Sequence, residues 1–175
     1  MLIRNYGLFW RRQFVFWGRP GVSGHLKGCQ ANAITKGEID FRYQQGIYCL
    51  YDDNFKFVYV GQAGSNDQQR LFDRLKQHKA DQLADRWAKF SWFGIRSVNK
   101  NGELSAEKSK SHPSIGDVLN HIEAILIAAG EPPHNRQGGR FGQNVTHYRQ
   151  FRDDDNLGPD LESMVRETYA RTIEW

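Results

Sequence analysis

Apolar positions along this chain change their period several times, and each change marks an element boundary. From Gly46 to Gly61, GIYCLYDDNFKFVYVG sets aromatic and β-branched residues on either side of Asp52, Asp53 and Asn54, which predicts a two-stranded hairpin. With Asp53 and Asn54 as a two-residue turn, Asp52 faces Phe55 and Tyr48 lies directly across from Tyr59, both phenols on one face. A four-residue loop keeps that pairing, and an odd-length loop makes it diagonal. The run GQAGSND reads as a loop, and a helix follows from about Gln69 through Lys79. Its buried stripe is Leu71, Phe72 and Leu75, while Arg70, Arg74 and His78 recur at four-residue spacing on another. The segment from about Gln82 to Phe90 is predicted helical as well, and FSWFGIRSV is predicted as a third strand covered on alternate faces. The polar stretch NKNGELSAEKSKSHPSIG reads as an exposed or mobile loop. Ile122, Ile125, Leu126 and Ala129 then return to helical spacing and predict a buried helix, which Gly130, Pro132 and Pro133 stop. The turn EPPHNRQGGRFG follows. From Pro159 to Trp175 the pattern predicts a terminal amphipathic helix with Leu161, Met164, Val165, Tyr169 and Ile173 on one side.

Strands flanked by helices, without strict alternation, indicate an α/β (α+β) fold. The expected architecture is a small central three-stranded, mainly antiparallel sheet flanked by helices, with an N-terminal β/loop extension and a C-terminal helix. Residues 18–40 are rich in glycine and small polar residues and read as loop. At 175 residues the chain suits one compact domain with extensions.

Composition changes this picture mainly at the N-terminus. The excess of 24 Lys and Arg over 20 Asp and Glu gives +4, which alone only permits a polyanionic partner. Residues 1–45, however, carry Arg4, Arg11, Arg12, Arg19, Lys27, Lys36 and Arg42 against Glu38 and Asp40, interleaved with Tyr6, Phe9, Trp10, Phe14, Phe16 and Trp17. Cations mixed with aromatics suit phosphate contact plus base stacking, which makes Arg11, Arg12 and Arg19 candidates for nucleic-acid binding. A strand pair packing its aromatics on the core, with arginines at a solvated edge, accounts for the same pattern, and both readings stay open here. Cys29 and Cys49 form no disulfide framework and no C-x-x-C or Cys/His spacing. A reducing cytoplasm is therefore the expected location. No 18-residue apolar run and no signal-peptide h-region are present, so neither membrane insertion nor export is expected.

One carboxylate stands out within the last helical pattern. Glu123 interrupts the apolar run HIEAIL, and an acid near a core costs several kcal/mol unless a partner compensates it. An arginine such as Arg136 or Arg140 would serve structurally. A broader set of residues suggests a different partner. GIY at 46–48, ten further residues and YVG at 59–61 resemble the signature of the GIY-YIG endonuclease superfamily. RLKQH supplies the Arg of the following helix with a His four residues later, Arg74 and His78. HIEAIL supplies Glu123, and PPHN supplies Asn135, twelve residues beyond it. The resemblance covers about residues 46–142, leaving 1–45 as the basic, aromatic extension and 143–175 as a tail. The loop after Gly61 is longer than in compact members, so Arg70 rivals Arg74 as phosphate clamp.

The resemblance implies a metal-dependent endonuclease that hydrolyses phosphodiester bonds. In that reading Glu123 is the only protein ligand of one Mg²⁺, with Mn²⁺ as a substitute, sharing a pocket with Tyr48. Tyr48 is the general base, Tyr59 holds water or phosphate, and Arg74 clamps the scissile phosphate. His78 favours the Tyr48 phenolate or relays its proton. Gly46 and Gly61 leave room at the ends of the hairpin, and Asn135 braces the loop beneath the site. Arg136 and Arg140 join the nucleic-acid contacts. DNA is the expected partner, in restriction or host defence, with repair, homing or RNA cleavage as alternatives. A homodimer would suit double-strand cutting. A non-catalytic nucleic-acid-binding module is the competing reading from another class.

Overall fold

The computed structural model describes residues 2–31, 37–64, 69–106, 114–135 and 138–151. Nine strands and two α-helices occur among them, in an α+β arrangement. In chain order they are β1 (Asn5–Arg11), β2 (Phe16–Arg19), β3 (Val22–His25), β4 (Lys27–Gln30), β5 (Glu38–Asp40), β6 (Gly46–Tyr51), β7 (Phe57–Ala63), α1 (Leu71–Gln77), β8 (Lys89–Gly94), α2 (Ile115–Gly130) and β9 (Thr146–Gln150). Seven strands form one sheet in the order β5-β4-β9-β1-β8-β6-β7, and β2 and β3 form a separate hairpin. Every pair in the large sheet is antiparallel except β1 with β9. The predicted terminal helix of 159–175 lies outside the described residues.

The expected three-stranded sheet is corrected to seven strands. β8, β6 and β7 are the three anticipated, but β8 is buried at all six positions rather than on alternate faces. Such a strand needs neighbours on both edges, and β1 supplies the second, in register from Asn5 opposite Gly94 to Arg11 opposite Lys89. The basic, aromatic N-terminus is thus a central part of the sheet, not an appendage to it. A bulge between Gly7 and Trp10 admits one extra residue, and the Phe9 amide there donates to Ser91 Oγ at 3.0 Å. The glycine-rich stretch 18–40, read as loop, contributes β3, β4 and β5. Its glycines serve close packing: a Cβ on Gly28 would stand 2.6 Å from the Trp10 ring, and one on Gly24 would stand 2.4 Å from Phe72.

Two further expectations change. The helix expected over 82–90 is a series of turns ending at β8. The Asp81 carboxylate accepts the Leu83 amide at 2.8 Å, the Arg12 guanidinium donates to the Ala84 and Trp87 carbonyls, and Trp87 Nε1 donates to the His78 carbonyl at 3.1 Å. These side-chain bonds hold the backbone away from helical pairing. The helix α2 forms as expected, capped by Ser114 Oγ accepting the Asp117 amide at 3.1 Å, but it is rotated. His121, Ala124, Ile125, Ala128 and Ala129 face inward, while Ile122 and Leu126 are 46% and 64% exposed. The 138–142 segment runs close against this helix: a Cβ on Gly139 would sit 2.1 Å from the Ala124 carbonyl oxygen, so only glycine fits there.

The sheet separates two apolar layers. Tyr48 and Leu50 pack with α1 residues Leu71, Phe72 and Leu75 and with Trp10, Phe41 and Trp92. Cys49 and Tyr51, alternating with them on β6, pack with Ala124, Ile125, Ala128 and Ala129 of α2. The two helices therefore cover opposite faces, and this decides which site residues can meet.

Candidate functional site

The hairpin register sets the site. Tyr51 pairs with Phe57 but Leu50 pairs with Tyr59, so Val58 is an extra residue in β7. The turn is odd-length, with Phe55 at φ 63° and the Asp52 amide donating to the Lys56 carbonyl at 3.0 Å. An odd turn alone would have sent Tyr59 to the other face. The Val58 bulge adds the second residue that restores parity. Tyr48 thus faces Gly61 rather than Tyr59, and the two phenols lie diagonally on one face with ring centroids 6.1 Å apart.

Both motif glycines are explained by neighbours on the chain. A Cβ on Gly61 would stand 2.3 Å from Tyr48 Oη and 2.7 Å from the Tyr59 ring, so its absence lets the phenol lie across β7. Gly46, at φ 147°, would place a Cβ 2.0 Å from the Phe93 carbonyl oxygen. The room left at Gly46 is filled by backbone, and that at Gly61 by a catalytic-candidate side chain.

Around Tyr48 a hydrogen-bonded chain closes. Its hydroxyl is 2.8 Å from His78 Nε2, and His78 Nδ1 is 2.7 Å from Asp81 Oδ2. The carboxylate orients Nδ1–H toward itself, which leaves Nε2 as the nitrogen that faces the phenol. His78 is 5% exposed and is placed by the end of α1, where its amide donates to the Arg74 carbonyl at 3.2 Å. The ring of Tyr59 stands edge-on to it at 4.9 Å. Burial pushes the Tyr48 phenol up to about 12, against Arg74, whose hydrogen bond and charge favour the phenolate; the neighbouring Tyr59 adds to the rise. Burial also disfavours the Asp81 anion, but the Leu83 amide and His78 outweigh it and hold that carboxyl below its usual range. Arg74 is steadied by Gln69 Oε1 at 3.2 Å and Gln77 Oε1 at 3.5 Å. Tyr48, Tyr59, Arg74 and His78 therefore converge as the sequence suggested.

Arg70 stands apart from this cluster. It precedes α1, its amide donates to Asp73 Oδ2 at 3.0 Å, and its guanidinium lies against Gly64. Between the two rival arginines, Arg74 is the one at Tyr48. Asp81 was not among the expected residues. The signal for it was an acid three positions after the His, in HKAD, whose meaning depends on α1 ending where it does.

Glu123 is not brought to the cluster. It is exposed on α2, across the sheet from Tyr48, in a groove of about 750 Å³ with Asn120, His134, Asn135 and Arg140. None of the Tyr48 cluster lines that groove. A divalent cation bridging Glu123 to the surroundings of Tyr48 does not fit these positions. Among the described residues no group of three or more His, Cys, Asp or Glu could hold a metal ion. The apparent cost of an acid in a core run disappears, because the carboxylate is on the wet side of the helix. Arg140 and Asn135 are exposed on that same side, and Arg136 lies outside the described residues. Of the N-terminal arginines, Arg11 and Arg19 are exposed. Arg12 is built into the fold through the Ala84 and Trp87 carbonyls and lies 4.9 Å over the Trp87 ring. The aromatics around them are packed rather than presented: Trp10 is 2% exposed and meets Phe41, Phe90 and Trp92 edge-on.

No family model, curated protein or solved structure matches this chain. Among the described residues no helix is long and apolar enough to cross a membrane.

Proposed function

We propose that this protein is an endonuclease of the GIY-YIG type, hydrolysing phosphodiester bonds of nucleic acid, with DNA in restriction or host defence as the first substrate to test. The observation that carries the reading is the joined chain Tyr48–His78–Asp81 with Arg74 beside the phenol, formed by three residues of the motif and one more.

The chemistry follows from charge balance. Ionising a phenol of pKa about 12 into solvent at pH 7 costs roughly 7 kcal/mol. Passing its proton to His78 instead leaves a phenolate beside the Arg74 guanidinium and an imidazolium beside the Asp81 carboxylate, so both charges are compensated as they form. The phenolate then takes a proton from a water attacking phosphorus, Arg74 neutralises charge on the phosphoryl oxygens, and the His78 proton is available for the departing oxygen. Tyr59, on the same face, is positioned for the water or a phosphate oxygen. The resemblance calls for Mg²⁺ on Glu123, but that carboxylate does not reach this cluster, so no step is routed through it.

A second reading, binding without cleavage, is favoured by two observations: Tyr48 is 0% exposed, and Glu123 faces the other side of the sheet. One assay separates the readings. Supercoiled plasmid, single-stranded DNA and RNA are incubated with the protein in Mg²⁺, Mn²⁺ or chelator, and the ends are mapped. The nuclease reading expects cutting that falls at least about 100-fold in Tyr48→Phe and Arg74→Ala, with binding retained. It expects Glu123→Ala to cut within about twofold of the wild type. Binding with no cutting under any condition establishes the second reading instead.

A further inference from the structure

A groove of about 590 Å³ lies one residue beyond His78 on the face covered by α1. Its walls include Arg12, Phe16, Trp17, Lys79 and Trp87, and it is joined to the proposed catalytic chain by the Trp87 Nε1 hydrogen bond to the His78 carbonyl. We propose that this groove seats a backbone phosphate of nucleic acid next to the one held by Arg74. The proposal rests on the nuclease reading and names how the substrate is gripped.

Three features point to an anion. Lys79 Nζ stands 4.6 Å over the Trp17 ring, and the Arg12 guanidinium stands 4.9 Å over the Trp87 ring, so both cations are fixed on aromatic faces. Among the described residues no carboxylate pairs with Arg12, Lys76 or Lys79. The cations also oppose one another: burial, then Arg12 and Lys76, hold the Lys79 ammonium below its usual range. One acid, Asp53, also lines the groove, but its carboxylate stands 3.8 Å from Lys89 Nζ, so the Arg12 and Lys79 charges keep no paired carboxylate and lower the free energy of a phosphate placed between them. A stacked base is disfavoured as occupant, since Lys79 and Phe72 pack on the Trp17 ring and Arg12 covers that of Trp87. The partner is the backbone, and recognition there is independent of sequence.

Lys79 is the residue to change, because Arg12 also holds the turn that carries Asp81. Fluorescein-labelled single-stranded and duplex DNA are titrated with the full chain and with Lys79→Gln and Lys79→Arg over a range of salt. Losing one phosphate contact reduces the slope of log affinity against log salt by about 0.7 on single strands or about 0.9 on duplex. Lys79→Gln is expected to show that reduction with affinity lowered about three- to tenfold, and Lys79→Arg to restore both. An unchanged slope in Lys79→Gln, or no nucleic-acid binding by the wild type, overturns the groove. A reduced slope in a protein that never cuts supports the groove while refuting the nuclease reading, and cutting with an unchanged slope does the reverse. Melting of both variants within about 2 °C of the wild type shows that the fold is kept.

Discussion

Replacing Gly61 by alanine tests the geometry on which the catalytic chain depends. The added methyl would stand 2.3 Å from Tyr48 Oη, 2.4 Å from Cζ and 2.7 Å from the Tyr59 ring. Ordinary contact requires about 3.5 Å, so the phenol must shift by roughly an ångström or β7 must part from β6. Tyr48 has no exposed surface toward which it can swing, and a shift of that size along its ring axis breaks a 2.8 Å bond to His78. Overpacking of this kind costs about 1–3 kcal/mol, and a buried hydrogen bond left unmade costs about 1–3 more. The sum, about 2–6 kcal/mol, corresponds to a melting temperature lower by roughly 4–24 °C for a domain of this size. Circular dichroism during heating measures it. Gly138→Ala is the control, because a Cβ there meets nothing within 4 Å and the melting point is expected to hold. If Gly61→Ala melts within 2 °C of the wild type and cuts DNA normally, Tyr48 does not lie across Gly61, and the relay as described is wrong.

Four other outcomes follow from the same geometry. Asp81→Asn removes the carboxylate that orients His78, so cleavage is expected to fall at least tenfold in a kinetic assay while nucleic-acid affinity changes little. Because the Asp81 pKa is depressed, its contribution to stability is present above the ordinary carboxylate range and is lost as pH falls through the folded value; melting temperatures taken between pH 6 and 3 should fall less steeply in Asp81→Asn than in the wild type. The Tyr48 pKa is raised, so its contribution is complete below pH 10 and disappears as pH rises through about 12; in a 295 nm titration Tyr48→Phe should lose a step near 12 and leave the lower steps intact. On α2, Leu126→Gln should leave denaturant stability within about 0.5 kcal/mol, whereas Ile125→Ala should lower it by about 2–4 kcal/mol, the reverse of equal burial for the pair.

Local chemistry was legible without coordinates. The alternation around Asp52–Asn54 announced the β6–β7 hairpin, the Leu71, Phe72 and Leu75 stripe announced α1, and the Gly-Pro-Pro stop ended α2 where expected. The four-residue spacing from Arg74 to His78 brought a guanidinium and an imidazole to the same phenol, because helical periodicity is fixed by the backbone itself. The sequence also distinguished the hairpin face shared by Tyr48 and Tyr59, although it paired them directly where the structure pairs them diagonally. That agreement depended on two departures that cancel, an odd turn and the bulge at Val58.

What tertiary structure alone decided was which surfaces meet. Periodicity shows that a helix has an apolar stripe, but α2 presents two, and packing against Cys49, Tyr51, Phe93 and Phe141 buries the alanine-rich one and leaves Ile122 and Leu126 in solvent. The same choice, together with the alternation of Tyr48 and Cys49 across the sheet, puts Glu123 on the far side from the phenol it was expected to serve. Likewise β1 joins β8 and β9 across 78 or more positions of sequence, a pairing that no local pattern encodes. Backbone geometry repeats over a few residues and can be read along the chain, whereas packing is settled by volumes contributed from distant segments.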